Sequence, residues 1–246
     1  MNKEKVKCIK EAGKIVADAL NRFTEIAVPG NTTGHINALA KDIVANTKHI
    51  ESSFLGYKGY PEYVCTSVDT EVVHGIPSYS TILKEGSIIS IDFAVSYRGW
   101  HADACITVPV GKIDQKKERI LRAVSGALYN SIPSAQIGRT TGNISYIIQS
   151  YLHGAGFVPV TQFTGHAVGR KLHEQPQVLN FGPPESGHVL VEGMFLAIEP
   201  IGATSHYTLS LDNNNWTYRT EPHILTAHFE HTVYLSSNGP EIITKL

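Results

Sequence analysis

Five side chains in this 246-residue sequence have the chemistry of metal ligands: Asp92, Asp103, His166, Glu199 and Glu230. Asp92 and Asp103 stand eleven positions apart in Ile88-Ile-Ser-Ile-Asp92-Phe-Ala-Val-Ser-Tyr-Arg-Gly-Trp-His-Ala-Asp103, on either side of an expected hairpin turn. With that turn centred between Tyr97 and Arg98, the two aspartates face each other across the ladder, Cβ atoms roughly 5 Å apart. Two bare carboxylates that close repel, so they need a shared proton or a cation. His166 lies in the glycine-flanked Thr164-Gly-His-Ala-Val-Gly169. Glu199 ends the apolar run 194–198 just before Pro200, and Glu230 interrupts the apolar strand 227–235. Four carboxylates and one imidazole form an oxygen-dominated set, which suits a pair of divalent first-row ions better than one thiolate-bound zinc.

Each residue also has a plainer reading. Glu199 could be a strand-end surface residue, Glu230 could pair with His231 at a sheet edge, and His166 could be a satisfied histidine. Asp92 opposite Asp103 is the hardest to explain without a cation.

The elements that must position these groups are legible in the apolar spacing. Ile9, Ala12, Ile15, Val16, Ala19 and Leu20 recur at helical spacing. Pro29-Gly30 breaks that helix, and a second is expected over 33–47. A Gly/Tyr-rich stretch, Phe54-Leu-Gly-Tyr-Lys-Gly-Tyr-Pro61, leads to strand material over 63–73 and the 88–110 hairpin. The second half repeats the order: a helix from 115 to about 130, a break, and a helix through Ile144, Ile147, Ile148 and Leu152. The breaks match as Gly30-Asn-Thr-Thr-Gly-His-Ile36 and Gly138-Arg-Thr-Thr-Gly-Asn-Ile144, 108 positions apart. A shared cap motif would explain this by coincidence. Duplication would explain it as one α+β domain over 1–246, with pseudo-repeat halves of about 5–112 and 115–246 and a site between them. No Gly/Ser-rich linker separates the halves.

Composition narrows the classes. A formal net charge of -1 without long basic runs does not suggest a nucleic-acid partner. Cys8, Cys65 and Cys105 are odd in number and show no CxxC spacing, which argues against a disulfide framework and for a reducing compartment. Nothing approaches the roughly 20 apolar residues of a membrane span. The N-terminus lacks a signal-peptide apolar segment, so a soluble cytoplasmic protein is expected.

At these residues the chain resembles the type I methionine aminopeptidases, in their short bacterial-like form, of the pita-bread metallopeptidase fold. The segments that carry the resemblance run the length of the chain: Gly56-Tyr-Lys-Gly-Tyr-Pro61, Val72-Val-His-Gly-Ile-Pro77, the Asp92/Asp103 hairpin, Gly165-His-Ala-Val-Gly-Arg170, Leu172-His-Glu-Gln-Pro-Gln177, Glu192-Gly-Met-Phe-Leu-Ala-Ile-Glu-Pro200 and Phe229-Glu-His-Thr-Val233. The resemblance implies a pseudo-two-fold array of helices packed on antiparallel sheet. It also implies a dinuclear centre of divalent ions (Fe, Mn, Co or Zn) and removal of the initiator methionine from nascent chains through a hydroxide bridging the metals. Carried over by position, Asp92 chelates one ion, His166 and Glu199 hold the other, and Asp103 and Glu230 bridge both. Glu199 is the proton shuttle. His74 contacts the scissile amide and helps the leaving group, while His173 stabilises the developing oxyanion. Tyr57, Tyr60, Cys65 and Trp216 line the methionine pocket, together with His74 and His173 on the substrate. The implied partners are N-termini of nascent peptides, with the ribosome near its exit tunnel, and a monomer is expected.

Several positions depart from the family pattern. Phe54 and Leu172 stand where bacterial relatives commonly carry a smaller residue and an aromatic one, a size exchange across one pocket. Asp69, Ala104 and Cys105 replace the usual hydroxyl or amide residues, and His228 adds a titratable group two residues before Glu230. Neither an N-terminal zinc-binding extension nor a type II helical insertion is expected. Asn2 is too large for a processed second residue, so Met1 is expected to stay on the chain. The rivals are a same-fold peptidase that cleaves before proline, a creatinase-like amidinohydrolase, a pita-bread binding protein that has lost catalysis, and a purely structural α+β domain. The first two usually carry a separate N-terminal domain and extra histidines near the metals, the third predicts missing ligands, and the last leaves buried carboxylates unexplained.

Overall fold

A computed structural model describes residues 3–246; Met1 and Asn2, and with them the expectation about methionine retention, lie outside the described residues. The first half contains α1 (Lys3–Ile26), α2 (Thr33–Asn46), β1 (Ile50–Ser52), β2 (Cys65–Val68), β3 (Glu71–Val73), β4 (Ile88–Tyr97) and β5 (Trp100–Pro109). The second contains α3 (Gln115–Ser131), α4 (Thr141–Gly154), β6 (Val158–Pro159), β7 (Gly165–Ala167), β8 (Glu174–Val178) and β9 (Phe195–Ile198). It continues with β10 (Ile201–Ala203), β11 (Ser210–Leu211), β12 (Tyr218–Arg219), β13 (Thr226–His228), β14 (Glu230–Ser236) and β15 (Gly239–Ile242). The four helices fall where the apolar spacing puts them, in an α+β arrangement. None of them is long and apolar enough to cross a membrane.

Antiparallel pairing assembles a nine-stranded sheet in the order β1-β4-β5-β14-β9-β7-β8, with β2 beside β4 and β15 beside β14. The period of two along each strand divides labour between the faces. On β4 and β5, Ile89, Ile91, Phe93, Val95, Ala102 and Ala104 point to α1, whose Ile9, Val16, Leu20 and Phe23 complete a fully buried core. Phe23 meets Phe93 edge-on at 5.2 Å. Each such large apolar side chain contributes about 1.5–3 kcal/mol by leaving water. The alternate residues Asp92, Asp103 and Cys105 therefore lie on the opposite face. In the second half, α3 and α4 bring Ile120, Val124, Leu128, Ile144 and Ile148 against Ile198, Val233 and Leu235. Helices cover one face of the sheet, which leaves the other for the polar groups.

The hairpin register differs from the expected one. Asp92 pairs with Cys105, and Asp103 with Ala94. The reversal is the two-residue loop Arg98-Gly99, both in the left-handed region at φ 52° and 72°. Such a doubly left-handed loop matches the strand twist. It moves the turn centre one residue on and the pairing two. The aspartates remain on one face, as diagonal rather than direct neighbours.

The repeated Thr-Thr-Gly segments make the same contacts twice. Thr32 and Thr140 precede α2 and α4 as N-caps. Gly30 N–H donates to Leu83 O and Gly138 N–H to Leu190 O, both at 2.9 Å. Thr33 and Thr141 N–H donate to Thr81 O and His188 O, and Gly34 and Gly142 N–H to Ser78 O and Ser186 O. Each helix start is thereby tied to the chain that leads into its half's central strand.

Candidate metal centre

Asp92 and Asp103 project from β4 and β5, Glu199 follows the end of β9 at the Pro200 kink, Glu230 opens β14, and His166 sits in β7. Close backbone approach fixes His166. A Cβ on Gly165 would stand 2.3 Å from Ala197 O, so only glycine lets β7 lie this tightly on β9. The His166 Nδ1 faces Ala167 O at 3.2 Å, so Nδ1–H donates to that carbonyl and Nε2 points onward with a free lone pair. One ligand atom each from Asp103, His166 and Glu230 falls within 4.8 Å of the others, and so does one each from Glu199, His228 and Glu230. Glu230 belongs to both groups. Asp92 joins through Asp103, the two carboxyls lying within hydrogen-bonding reach. All five expected ligands are thus gathered at one place. A sixth side chain, His228, is there as well.

The electrostatics call for a counter-charge. Burial, reinforced by the neighbouring acids, raises Asp92 and Glu230 well above the usual carboxylate range. Burial alone raises Glu199. Asp103 is pushed up to about 7, first by burial and then by Glu199. His166 and His228 are pushed down to about 3 by burial, so both rings are neutral and able to ligate. Asp92 Oδ1, Asp103 Oδ1, Glu230 Oε1 and His228 Nε2 are buried without a hydrogen-bond partner. Orphaned buried oxygens of this kind are costly unless something binds them. Four carboxylates against two dications would leave no net charge. The donor set fits divalent cations.

A cavity of about 390 Å³ opens from these acids. Its inner wall is formed by buried Phe54, Tyr60, Cys65 and Leu172, with Tyr57 and Trp216 packed against them. Phe54 and Leu172, two of the departures from the family pattern, share this wall. The Tyr60 hydroxyl shares its one proton between Val64 O and Gly75 O, each 3.0 Å away, and the Tyr60 ring meets Trp216 edge-on at 5.1 Å. Burial raises the Cys65 thiol, which stays protonated.

His74 and His173 flank the opening. The His74 backbone is left-handed at φ 58°, an unusual state that the surroundings must enforce. Its neighbour Gly75 presses on β2 so closely that a Cβ would stand 2.0 Å from Thr66 O. Phe163, Trp216 and Tyr218 surround the His74 ring at centroid distances of 5.7, 6.1 and 6.5 Å. His173 Nδ1 lies 2.9 Å from the Tyr57 hydroxyl, and its ring lies 4.2 Å from that of His166. Burial, more than neighbouring cations, lowers His74 and His173 to about 4.

The sequence noted His228 without assigning it. Its nearness to Glu199 follows from Ile201 pairing with His228 between two three-residue strands, too short to leave a periodic signal.

Comparison with known proteins agrees with this geometry. Residues 7–237 match the profile of metallopeptidase family M24. Methionine aminopeptidase of Clostridium acetobutylicum is 38% identical over 243 residues, 99% of this chain and 97% of that protein. The crystal structure of methionine aminopeptidase from Thermotoga maritima superimposes with a TM-score of 0.97 at 36% identity, covering 100% of this chain and 98% of that one. Xaa-Pro dipeptidase from Bacillus anthracis shares the pita-bread fold alone, at a TM-score of 0.77, 20% identity, and 100% and 61% coverage. With its acids, its histidines and its relatives in agreement, the chain belongs to metallopeptidase family M24, within the methionine aminopeptidases.

Proposed function

We propose that this enzyme removes the initiator methionine from nascent polypeptides, using two divalent ions held by Asp92, Asp103, His166, Glu199 and Glu230. Four clustered carboxylates, three of them with a buried oxygen that lacks a partner, opening into a sulfur- and aromatic-lined cavity, carry this reading. In it, Asp103 and Glu230 would serve both ions, Asp92 would complete one, and His166 and Glu199 would complete the other. Iron, manganese, cobalt and zinc all suit such oxygen-plus-imidazole donors. When bound, the ions would supply an activated water at neutral pH and polarise the scissile carbonyl.

The protein's own groups do the rest. The methionine side chain enters against Tyr57, Tyr60, Cys65 and Trp216, where aromatic and sulfur surfaces suit a thioether. Phe54 fills space that the smaller Leu172 leaves in the same wall. Tyr57 donates its hydroxyl proton to His173 Nδ1, which leaves Nε2–H free to donate to the carbonyl oxygen as charge develops there. Glu199 takes the proton given up by the attacking water and passes it to the amine nitrogen as the C–N bond breaks. His74, neutral and held by its aromatic surround, contacts the scissile amide and steadies the leaving group.

The test uses metal-stripped protein on Met-Ala-Ser and Met-Pro peptides, with each metal restored in turn. Methionine release from Met-Ala-Ser returns with at least one of the four metals, and Asp103→Asn and Glu199→Gln abolish it. Full activity in both variants, or no release with any metal, overturns the proposal.

A further inference from the structure

We infer that His228 is a sixth ligand of the metal pair, binding through Nε2 beside Glu199 and Glu230. The inference rests on the two-ion reading above and adds one donor to it. His228 is buried at 2% exposure and closes β13. Its backbone is clamped on one side by Thr107, whose Oγ1 accepts from His228 N–H at 2.8 Å and donates to His228 O at 2.6 Å. On the other side it pairs with Ile201, two residues past Glu199. The ring is thereby fixed at the acids.

Its Nε2 has no hydrogen-bond partner, although Glu199 Oε2 is only 3.4 Å away. The two atoms are close but not aligned as a donor and an acceptor. That is the spacing of two ligands around one ion: bonds of about 2.1 Å at tetrahedral angles set ligand atoms about 3.4 Å apart. The rest of the cluster is consistent. Asp103, His166 and Glu230 fall within 4.8 Å of one another, and so do Glu199, His228 and Glu230, so His228 lies where it would add to the ion that His166 and Glu199 complete. A neutral ring adds a donor without disturbing the balance of four carboxylates against two dications. A second imidazole also tilts the site toward cobalt and zinc over manganese, whose preference is for oxygen.

Proton NMR of the full-length cobalt(II)-loaded protein counts bound rings directly, because each cobalt-bound imidazole gives its own far-shifted, solvent-exchangeable N–H signal. Two such signals are expected in the wild type and one in His228→Gln. Cobalt affinity should fall at least tenfold in that variant, a size of loss seen for altered metal surroundings, at about 10–100-fold; manganese affinity should change less. Glutamine can still donate a hydrogen bond to Glu199. If His228 merely steadied that carboxylate, the variant would keep both the wild-type signal count and its affinity, and the inference would fail. A single signal in the wild type would also overturn it, whatever the variants do. His228→Asn serves if His228→Gln does not fold. Failure of the wild type to bind cobalt at all would instead sink the two-ion reading, so the two failures are distinct.

Discussion

The two halves of the molecule use one plan to different ends. Asp92 follows Leu83 by nine residues, and Glu199 follows Leu190 by nine, and both leucines carry the same backbone contacts to a Thr-Thr-Gly loop. Across the central strands, Glu230 faces Cys105, while Asp103 exchanges hydrogen bonds with Thr232. Each half thus gives one acid to the central pair and one to the flanking strand. The halves part at two places. Ser67 pairs with the residue two before Asp92, and His166 with the residue two before Glu199. Where the second half presents an imidazole, the first has a hydroxyl that accepts from Gly75 N–H beside His74. The first half also joins its acids by a two-residue turn, whereas the second sends the chain out through β10–β13, which bring Trp216 and His228. The matching parts supply the acids, and the departures supply the imidazole and the pocket wall.

That contrast can be broken by mutation. The largest effect is expected at the symmetry-matched acids: Asp103→Asn and Glu230→Gln should each lower kcat/KM for a Met-Ala peptide by about 10³-fold, because several kcal/mol of transition-state stabilisation hang on the ions. A variant that keeps near-wild-type turnover would show that the halves do not contribute equally. At the unmatched pair, Gly165→Ala should destabilise the protein by about 1–3 kcal/mol through overpacking and weaken metal binding by displacing His166. Ser67→Ala should cost about 1 kcal/mol from one hydrogen bond and leave metal affinity unchanged. Chemical denaturation and calorimetric metal titration distinguish the two.

Removing the metals exposes the charge imbalance as a pH dependence. Asp103 titrates near 7 in the folded metal-free protein against an ordinary 3.8. Its contribution to stability is therefore complete below pH 3.8 and is lost as the pH rises through 7. His74, His166, His173, His228 and His231, lowered to between about 3 and 4 from 6.5, act oppositely and withdraw stability as the pH falls below 6.5. Above about pH 7.5 the histidines are neutral in both states, and Asp92, Glu199 and Glu230, also raised well above the carboxylate range, act with Asp103, so denaturation midpoints of the metal-free protein should fall between pH 7.5 and 9, and saturating metal should flatten that slope. A metal-free protein equally stable at both values would contradict the buried-acid account.

The smallest effect is expected at the helix caps. Asn143 Oδ1 accepts from Thr140 N–H at 2.9 Å, whereas Thr32 in the first half draws on Asn31 Oδ1. Asn143→Ala should cost α4 about 1 kcal/mol by denaturant titration, while His35→Ala at the matching position of α2 should cost less.

Much of this was legible in the chain because its signals are local. Amphipathic spacing marks the four helices, the repeated Thr-Thr-Gly marks the matched loops, and acids in apolar strands mark the candidate ligands. What escaped depends on backbone conformation or long-range pairing. The hairpin register turned on two left-handed residues, Arg98 and Gly99, and arginine is no signature of that state. His228 meets Glu199, 29 positions earlier, only because two three-residue strands pair. The His74 backbone at φ 58° likewise has no local cue, since its cause is Gly75 packed onto β2.

The shared position of Glu230 in both ligand groups would make bound metal a clasp between halves that also meet where β5 pairs with β14 and β3 with β12. An ion bound only by the folded chain stabilises it by about 2.7 kcal/mol at a hundred times its dissociation constant. Free metal in the cell is therefore a folding variable for this enzyme as well as a catalytic one. Scarcity would raise the unfolded fraction, and with it the rate at which proteases clear the chain.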